Sequence, residues 1–134
     1  MNLETASLVE AAIAIRNGSV TPVDYVQALL TRIDALEPRV QAWVTIDREA
    51  VLAEARQLEV EAQKQEFRGP LHGIPIGIKD TFYTRNLKTT MGTTAFADFV
   101  PTYDAAVVKK LRHAGALILG KCVTTILVFL DPGP

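Results

Sequence analysis

Residues 69–80 read G-P-L-H-G-I-P-I-G-I-K-D, from Gly69 to Asp80. Within this stretch, isoleucines alternate with glycine and proline over Ile74–Lys79, which predicts a short buried strand that ends on a lysine. Asp104 reads as the cap of a helix over Ala105–His113, with Val107, Val108 and Leu111 inward and Gly115 as the stop. Ala116-Leu117-Ile118-Leu119 then forms a fully apolar strand. Strand, crossover helix and strand in this order predict a parallel pair, hence an α/β sheet with helices packed on it. Parallel strands are buried on both faces, which explains the missing polar alternation in A-L-I-L. The sheet is expected to continue beyond two or three strands so that those faces are covered.

Upstream of this stretch the chain reads as helices. Ser7-Leu8-Val9-Glu10 is a capping-box pattern, Leu8, Ala11, Ala12 and Ile15 recur at helical spacing, and Asn17-Gly18 ends the segment. Thr21-Pro22 opens a second helix, whose stripe of Val26, Leu29, Leu30, Ile33 and Leu36 ends before Pro38. Val40–Ile46 alternates and reads as extended. Asp47 caps a third helix with Val51, Ala55, Leu58 and Ala62 on one face, and the charges from Glu49 to Lys64 form a solvated face. The expected organisation is a single domain over residues 1–134, with a helical layer at 1–67 and the first strands and crossover helix at 68–134. Thr81–Pro101 is loop-rich, with T-T-M-G-T-T at its centre.

Composition bounds the function. The 134 residues are 49% hydrophobic and 22% charged with a net charge of −1, so nothing electrostatic favours nucleic acid or an anionic membrane as partner. A single cysteine, Cys122, excludes an internal disulfide and suits a reducing cytoplasm. The acidic N-terminus lacks a signal-peptide pattern, and the longest uncharged apolar run, Cys122–Leu130, is about half of the ~20 residues a membrane span needs. A cytoplasmic protein without a membrane segment is expected. The run C-V-T-T-I-L-V-F-L passes directly into D-P-G-P and stops, which reads as the truncation of a larger protein.

Lys79 is the candidate for chemistry, because ligand and catalytic groups of α/β sheets gather at the carboxyl ends of strands. A lysine kept dry there can lose its proton near neutral pH and act as a base. The plain alternative is a solvated lysine that begins a loop. Lys121 also sits just past an apolar strand, in L-I-L-G-K, and spacing does not choose between the two. A phosphate loop is not met, since the glycine spacing is wrong and Asp80 stands where a hydroxyl is required. His72 and His113 lack metal-ligand spacing with each other or with Cys122, so no metal and no cofactor is expected. His72 reads as a hydrogen-bonded loop residue, His113 as a cation near a helix C-terminus, Cys122 as a small hydrophobe and Trp43 as core.

G-P-L-H-G-I-P-I-G-I-K-D, T-T-M-G-T-T, D-A-A-V-V-K-K-L-R-H-A-G-A-L-I-L-G-K and the terminal D-P-G-P together resemble the amidase signature family, as do V-T-P-V-D-Y and L-E-P-R-V-Q-A-W-V in the helices. The resemblance covers essentially the whole chain. It implies an incomplete α/β amidase signature fold, made of N-terminal helices followed by the first strands of a mixed or parallel sheet. It further implies hydrolysis of carboxylic amides by a serine nucleophile, a second serine held by a cis peptide bond, and a lysine matching Lys79. Met91, Gly92, Ile126 and Phe129 resemble residues that line the acyl pocket. Both serines belong to a glycine- and serine-rich block absent from this sequence, so the fragment is expected to be inactive alone. The segment C-V-T-T-I-L-V-F departs from the polar pattern common in the family.

The implied partner is a small-molecule amide, and a homodimer is compatible with the family. Free amide, aryl amide, urea derivative and aminoacyl-tRNA are all left open as substrates. One rival is a fragment of the A-subunit of glutamyl-tRNA(Gln) amidotransferase, the same chemistry with ammonia passed to a partner and dependence on tRNA. A rival of another class is a non-catalytic assembly module that uses the stripe from Val26 to Leu36. The isolated fragment, with a sheet edge and apolar faces uncovered, is expected to be poorly stable or to aggregate.

Overall fold

A computed structural model describes residues 2–129, so the terminal D-P-G-P lies outside the described residues. The first helix, α1, spans Leu8–Arg16 and begins with the expected capping box. The Ser7 hydroxyl accepts from the Glu10 N–H, and the Glu10 carboxylate accepts from the Ser7 N–H at 2.8 Å. That backbone hydrogen bond holds the Glu10 carboxyl below its ordinary pKa. Helix α2, Pro22–Val40, starts on a second box, Thr21 with Asp24.

It does not stop before Pro38. The helix carries that proline in its last turn and ends where Gln41 turns left-handed, its N–H donating to the Glu37 carbonyl. A proline this close to the end removes only one helix hydrogen bond, and just beyond the helix the Glu37 carboxylate accepts the Trp43 N–H at 2.8 Å. Helix α3, Arg48–Gln63, is capped by Asp47, whose carboxylate accepts the Ala50 N–H.

The sheet has three strands, β1 (Trp43–Thr45), β2 (Pro75–Lys79) and β3 (Leu117–Cys122), in the order β1-β3-β2. β2 and β3 are parallel and joined through helix α4, Ala106–His113, as the strand–helix–strand pattern required. β1 lies antiparallel on the other side of β3, which makes the sheet mixed. β3 runs further at its carboxyl end than its apolar letters indicated and includes Gly120, Lys121 and Cys122.

Each face of β3 has its own core. Leu117 and Leu119 pack with Val26, Leu30, Val51, Ala55 and Leu58 from α2 and α3. On the other face Ile118 packs with Ile78 and with Val108 of α4. Leu29 and Ile33 border the first of these clusters, so most of the α2 stripe is core and not a free assembly surface. α1 packs separately, its Ala11 and Ile15 against Tyr25 and Ile74 at the start of β2.

Two expectations around α4 are corrected. Asp104 does not cap the helix; Ala105 occupies the cap position without a side-chain hydrogen bond. The Asp104 carboxylate instead accepts the Arg85 N–H at 2.7 Å and pairs with Arg112 at 3.2 Å, because two donors already in place outcompete a single helix N–H. Val107 is exposed, since an eight-residue helix turns only Val108 fully onto the sheet.

His72 is hydrogen-bonded as expected. Its Nδ1 accepts the Arg68 N–H at 3.1 Å, which leaves Nε2 to donate to the Leu58 carbonyl at 2.8 Å. Gly115 stands directly beneath it at φ +91, where an added Cβ would lie 2.6 Å from the His72 Cα. Only glycine fits there.

In urea denaturation, Leu58→Ala should cost about 2–5 kcal/mol through the cavity it opens between α3 and the sheet. Gly115→Ala should cost about 1–3 kcal/mol from backbone strain alone, and more once His72 is displaced.

Candidate active site at the ends of the parallel strands

The carboxyl ends of β2 and β3 lie side by side, and three segments of backbone are tied to each other there. The Asp80 N–H donates to the Cys122 carbonyl at 2.9 Å, just past the end of β2. The Met91 N–H donates to the Asp80 carbonyl at 3.0 Å, and the Leu127 N–H donates to the Met91 carbonyl at 2.9 Å. Gly92 sits so close to the 124–125 backbone that an added Cβ would lie 2.9 Å from the Thr125 carbonyl oxygen. Lys79, Met91, Gly92 and Ile126, singled out from sequence, therefore gather at one strand end. Phe129 follows within the same turn, its N–H on the Ile126 carbonyl at 2.8 Å, with its ring 74% exposed.

Backbone strain concentrates at the same place. Met91 (φ 54), Leu127 (φ 48) and Val128 (φ 70) all adopt the left-handed region. For a β-branched residue such as Val128 that conformation is costly, and strain of this kind clusters at functional sites.

The two lysines that spacing could not separate have opposite surroundings. Lys79 is exposed at the end of β2, so the described residues do not supply the dry environment expected of it. Its face of the sheet carries Gly77, Cys122 and Trp43. Lys121 is fully buried. Its ammonium donates to the Phe82 carbonyl at 2.8 Å and to the Thr89 hydroxyl at 2.7 Å, and lies 3.2 Å from an Asp80 carboxylate oxygen. The other Asp80 oxygen accepts from Thr90, at 2.9 Å from the amide and 2.6 Å from the hydroxyl. Burial pushes the Lys121 pKa down from its ordinary value, with the Asp80 charge opposing.

A register shift between β2 and β3 decides this difference. Ile76 pairs with Ile118 but Gly77 pairs with Gly120, so Leu119 is an extra residue on β3. Strict alternation would set Lys121 on the face of Leu117 and Leu119. The bulge turns it to the face of its register partner Ile78, where Phe82 and Thr89 wait. Sequence reasoning missed Asp80, Thr89 and Thr90 as partners. The signals were present in the K-D pair and in the threonines of T-T-M-G-T-T, but the bulge that unites them leaves no mark in the letters.

Other features are structural. The cavity of about 240 Å³ between α3 and β3 is lined by Glu54, Arg85, Arg112 and Leu119, among others, and by none of the five candidate site residues. Arg112 ties α4 to α3 through Glu54 at 3.1 Å. Cys122 is half-buried, and burial raises its thiol pKa, against a role as nucleophile. Among the described residues no group of three His, Cys, Asp or Glu side chains is gathered to hold a metal ion, and no helix is long and apolar enough to cross a membrane.

A match to the family described as Amidase covers residues 24–130, most of the chain. The chain belongs to the amidase family. It is 40% identical over 127 residues to the Mycobacterium tuberculosis protein named "Putative amidase AmiD", a match over 95% of this chain and 27% of that protein. It is 38% identical over 121 residues to the A-subunit of the glutamyl-tRNA(Gln) amidotransferase of Streptomyces avermitilis, over 90% of this chain and 24% of that one. The structure superimposes on the peptide amidase of Stenotrophomonas maltophilia with a TM-score of 0.85 and 33% identity, covering 91% of this chain and 25% of the peptide amidase. Fatty acid amide hydrolase shares the fold at 20% identity, with a TM-score of 0.84. The chain thus spans about a quarter of the length of the amidase relatives it matches.

Lys121→Met should destabilise the chain by about 3–5 kcal/mol, because it strands the buried Asp80 carboxylate, whereas Lys121→Met combined with Asp80→Asn should recover much of that loss. A lysine whose folded pKa is lowered binds its proton less well when folded than when unfolded, so its contribution to stability grows as pH rises toward the ordinary lysine range of about 10. Denaturation midpoints from pH 8 upward should therefore move in favour of the wild-type chain relative to Lys121→Met, and a constant difference would contradict the assignment.

Proposed function

We propose that this chain supplies the lysine of an amide-hydrolysing site, with Lys79 as the base of a serine–serine–lysine relay. The observation that supports the reading is the convergence of Lys79 with Met91–Gly92 and Ile126 at the carboxyl end of a parallel strand pair, in a chain of the amidase family. In this reading neutral Lys79 takes the proton of a nucleophilic serine through a bridging serine. The serine oxygen bonds to the amide carbon, and backbone N–H groups hold the resulting oxyanion. When the C–N bond breaks, Lys79 returns the proton to the departing ammonia or amine, and water then hydrolyses the acyl ester. Met91, Gly92, Ile126 and Phe129 would border the acyl group.

The chain's own serines do not fit the relay. Ser7 caps α1 through Glu10, and Ser19 is bonded to Asn17 and to the Ala14 carbonyl. Both flank α1, which packs on Ile74 at the start of β2, roughly 15 Å of strand away from Lys79. Hydroxyls from further polypeptide are needed. That polypeptide would also close over the now exposed Lys79 and desolvate it.

The amidotransferase reading uses the same lysine with ammonia passed to a partner enzyme, and it is supported by the relatives that carry that name. Dependence of turnover on tRNA and on a second protein would single it out. The proposed location is the cytoplasm, with a small-molecule amide as the partner of the hydrolase.

Incubated with primary and aryl amides, the 134-residue chain should release no ammonia or amine above the uncatalysed rate. A chain extended by a serine-bearing continuation should turn over, and Lys79→Ala in it should lower kcat by roughly 10³-fold or more. Full turnover by the extended Lys79→Ala protein would end the proposal.

A further inference from the structure

Asp80 lies just past β2 and takes no part in the proton relay, yet its carboxylate and its carbonyl both bind the turn that would border the acyl group. We propose that Asp80 is a positioning residue for that border: it holds Thr90–Gly92 at the strand ends and, through them, sets where the 124–127 segment lies. Its importance to the reaction rests on the reading of Met91, Gly92 and Ile126 as the acyl border, while the contacts themselves do not depend on it.

The Asp80 N–H donates to the Cys122 carbonyl at 2.9 Å, which fixes its backbone to the end of β3. From that anchor its carboxylate accepts from the Thr90 amide at 2.9 Å and from the Thr90 hydroxyl at 2.6 Å. Its carbonyl accepts the next amide, that of Met91, at 3.0 Å. The neighbouring backbone bonds stay within the loop, from the Thr89 N–H to the Phe99 carbonyl and from the Thr93 N–H to the Thr90 carbonyl. Among the described residues, every hydrogen bond that ties Thr90 or Met91 to the ends of β2 and β3 therefore meets Asp80. The turn then passes its position on. The Met91 carbonyl accepts the Leu127 N–H at 2.9 Å, and a Cβ on Gly92 would lie 2.9 Å from the Thr125 carbonyl oxygen and 3.0 Å from that of Thr124.

Met91 (φ 54) and Leu127 (φ 48) are both left-handed, a conformation that residues other than glycine keep only where the surroundings over-determine it. Hydrogen bonds to a carboxylate are stronger than those to a neutral oxygen, so the Thr90 bonds are suited to that task. The Lys121 ammonium, 3.2 Å from the other Asp80 oxygen, secures the charge, and both side chains are fully buried. A border held in one place distinguishes acyl groups by size and shape. Loosening it weakens contact with the acyl group and leaves proton transfer untouched, so its loss belongs in KM and not in kcat.

The first arm of the test uses the 134-residue chain and needs no turnover. Native hydrogen exchange is followed at the Met91 and Leu127 amides, with the Leu117 amide, which donates to the Ile74 carbonyl inside the sheet, as reference. Thr90→Val removes the hydroxyl bond but leaves the Asp80–Lys121 pair, and should speed exchange at Met91 and Leu127 about tenfold while Leu117 is unchanged. Thr90→Ser restores the hydroxyl and should stay within about twofold of wild type. Asp80→Asn should also speed both amides, and Thr90→Val carries the test if that variant does not fold. The second arm uses the chain extended by its serine-bearing continuation. There Thr90→Val should raise KM for benzamide about fivefold with kcat within about twofold, and Thr90→Ser should rescue it. Unchanged exchange at Met91 and Leu127, equal acceleration at Leu117, or an unchanged KM would each overturn the proposal. Failure of the amidase reading would appear separately, as turnover that survives Lys79→Ala.

Discussion

A buried ammonium is tolerated only when each of its N–H bonds meets an oxygen and its charge meets a counter-charge. Lys121 meets this need with hydrogen bonds to the Phe82 carbonyl and the Thr89 hydroxyl and with the Asp80 counter-charge at 3.2 Å. Its partners all lie at the carboxyl ends of β2 and β3. The loop from 81 to 93 is held by backbone bonds to Phe99, Pro101 and Asp80 and by the bonds of Phe82 and Thr89 to the Lys121 ammonium. Such networks hold one arrangement strongly when complete and are costly when a member is lost.

The sheet thereby assigns different work to two lysines at the ends of neighbouring strands. One is dry, paired and structural, while the other is wet and unconstrained at its tip. An amine intended as a base needs the reverse of what Lys121 has, namely freedom from a carboxylate. Among the described residues, Lys79 forms no ion pair and is exposed at the end of β2. The chain spans about a quarter of the length of the amidase relatives it matches. At this same end Val123, Leu127, Val128 and Phe129 are exposed apolar residues.

Much of the architecture was legible in the letters. The capping boxes at Ser7 and Thr21, the Asp47 cap, the glycine stop at Gly115 and the strand–helix–strand order all rest on local chemistry, and all appear where their residues stand. The departures have different causes. Pro38 sits in the last turn of α2, where a missing N–H costs a single hydrogen bond, and at Asp104 the local cap was outbid by Arg85 and Arg112. Val107 faces solvent because a helix of two turns has too narrow a buried face for adjacent valines.

By itself the sequence determined that a lysine closes a parallel strand within a framework of helices and sheet, because hydrophobic period, caps and turn residues act over a few positions. Which lysine is buried, and with whom, only the tertiary structure decided. A single extra residue at Leu119 reverses the facing of everything after it, and side-chain facing in a strand is set by register with a neighbour some forty residues away. No local preference encodes that register. It follows from how the two cores on either side of β3 fill, and from the partners that a buried amine must find.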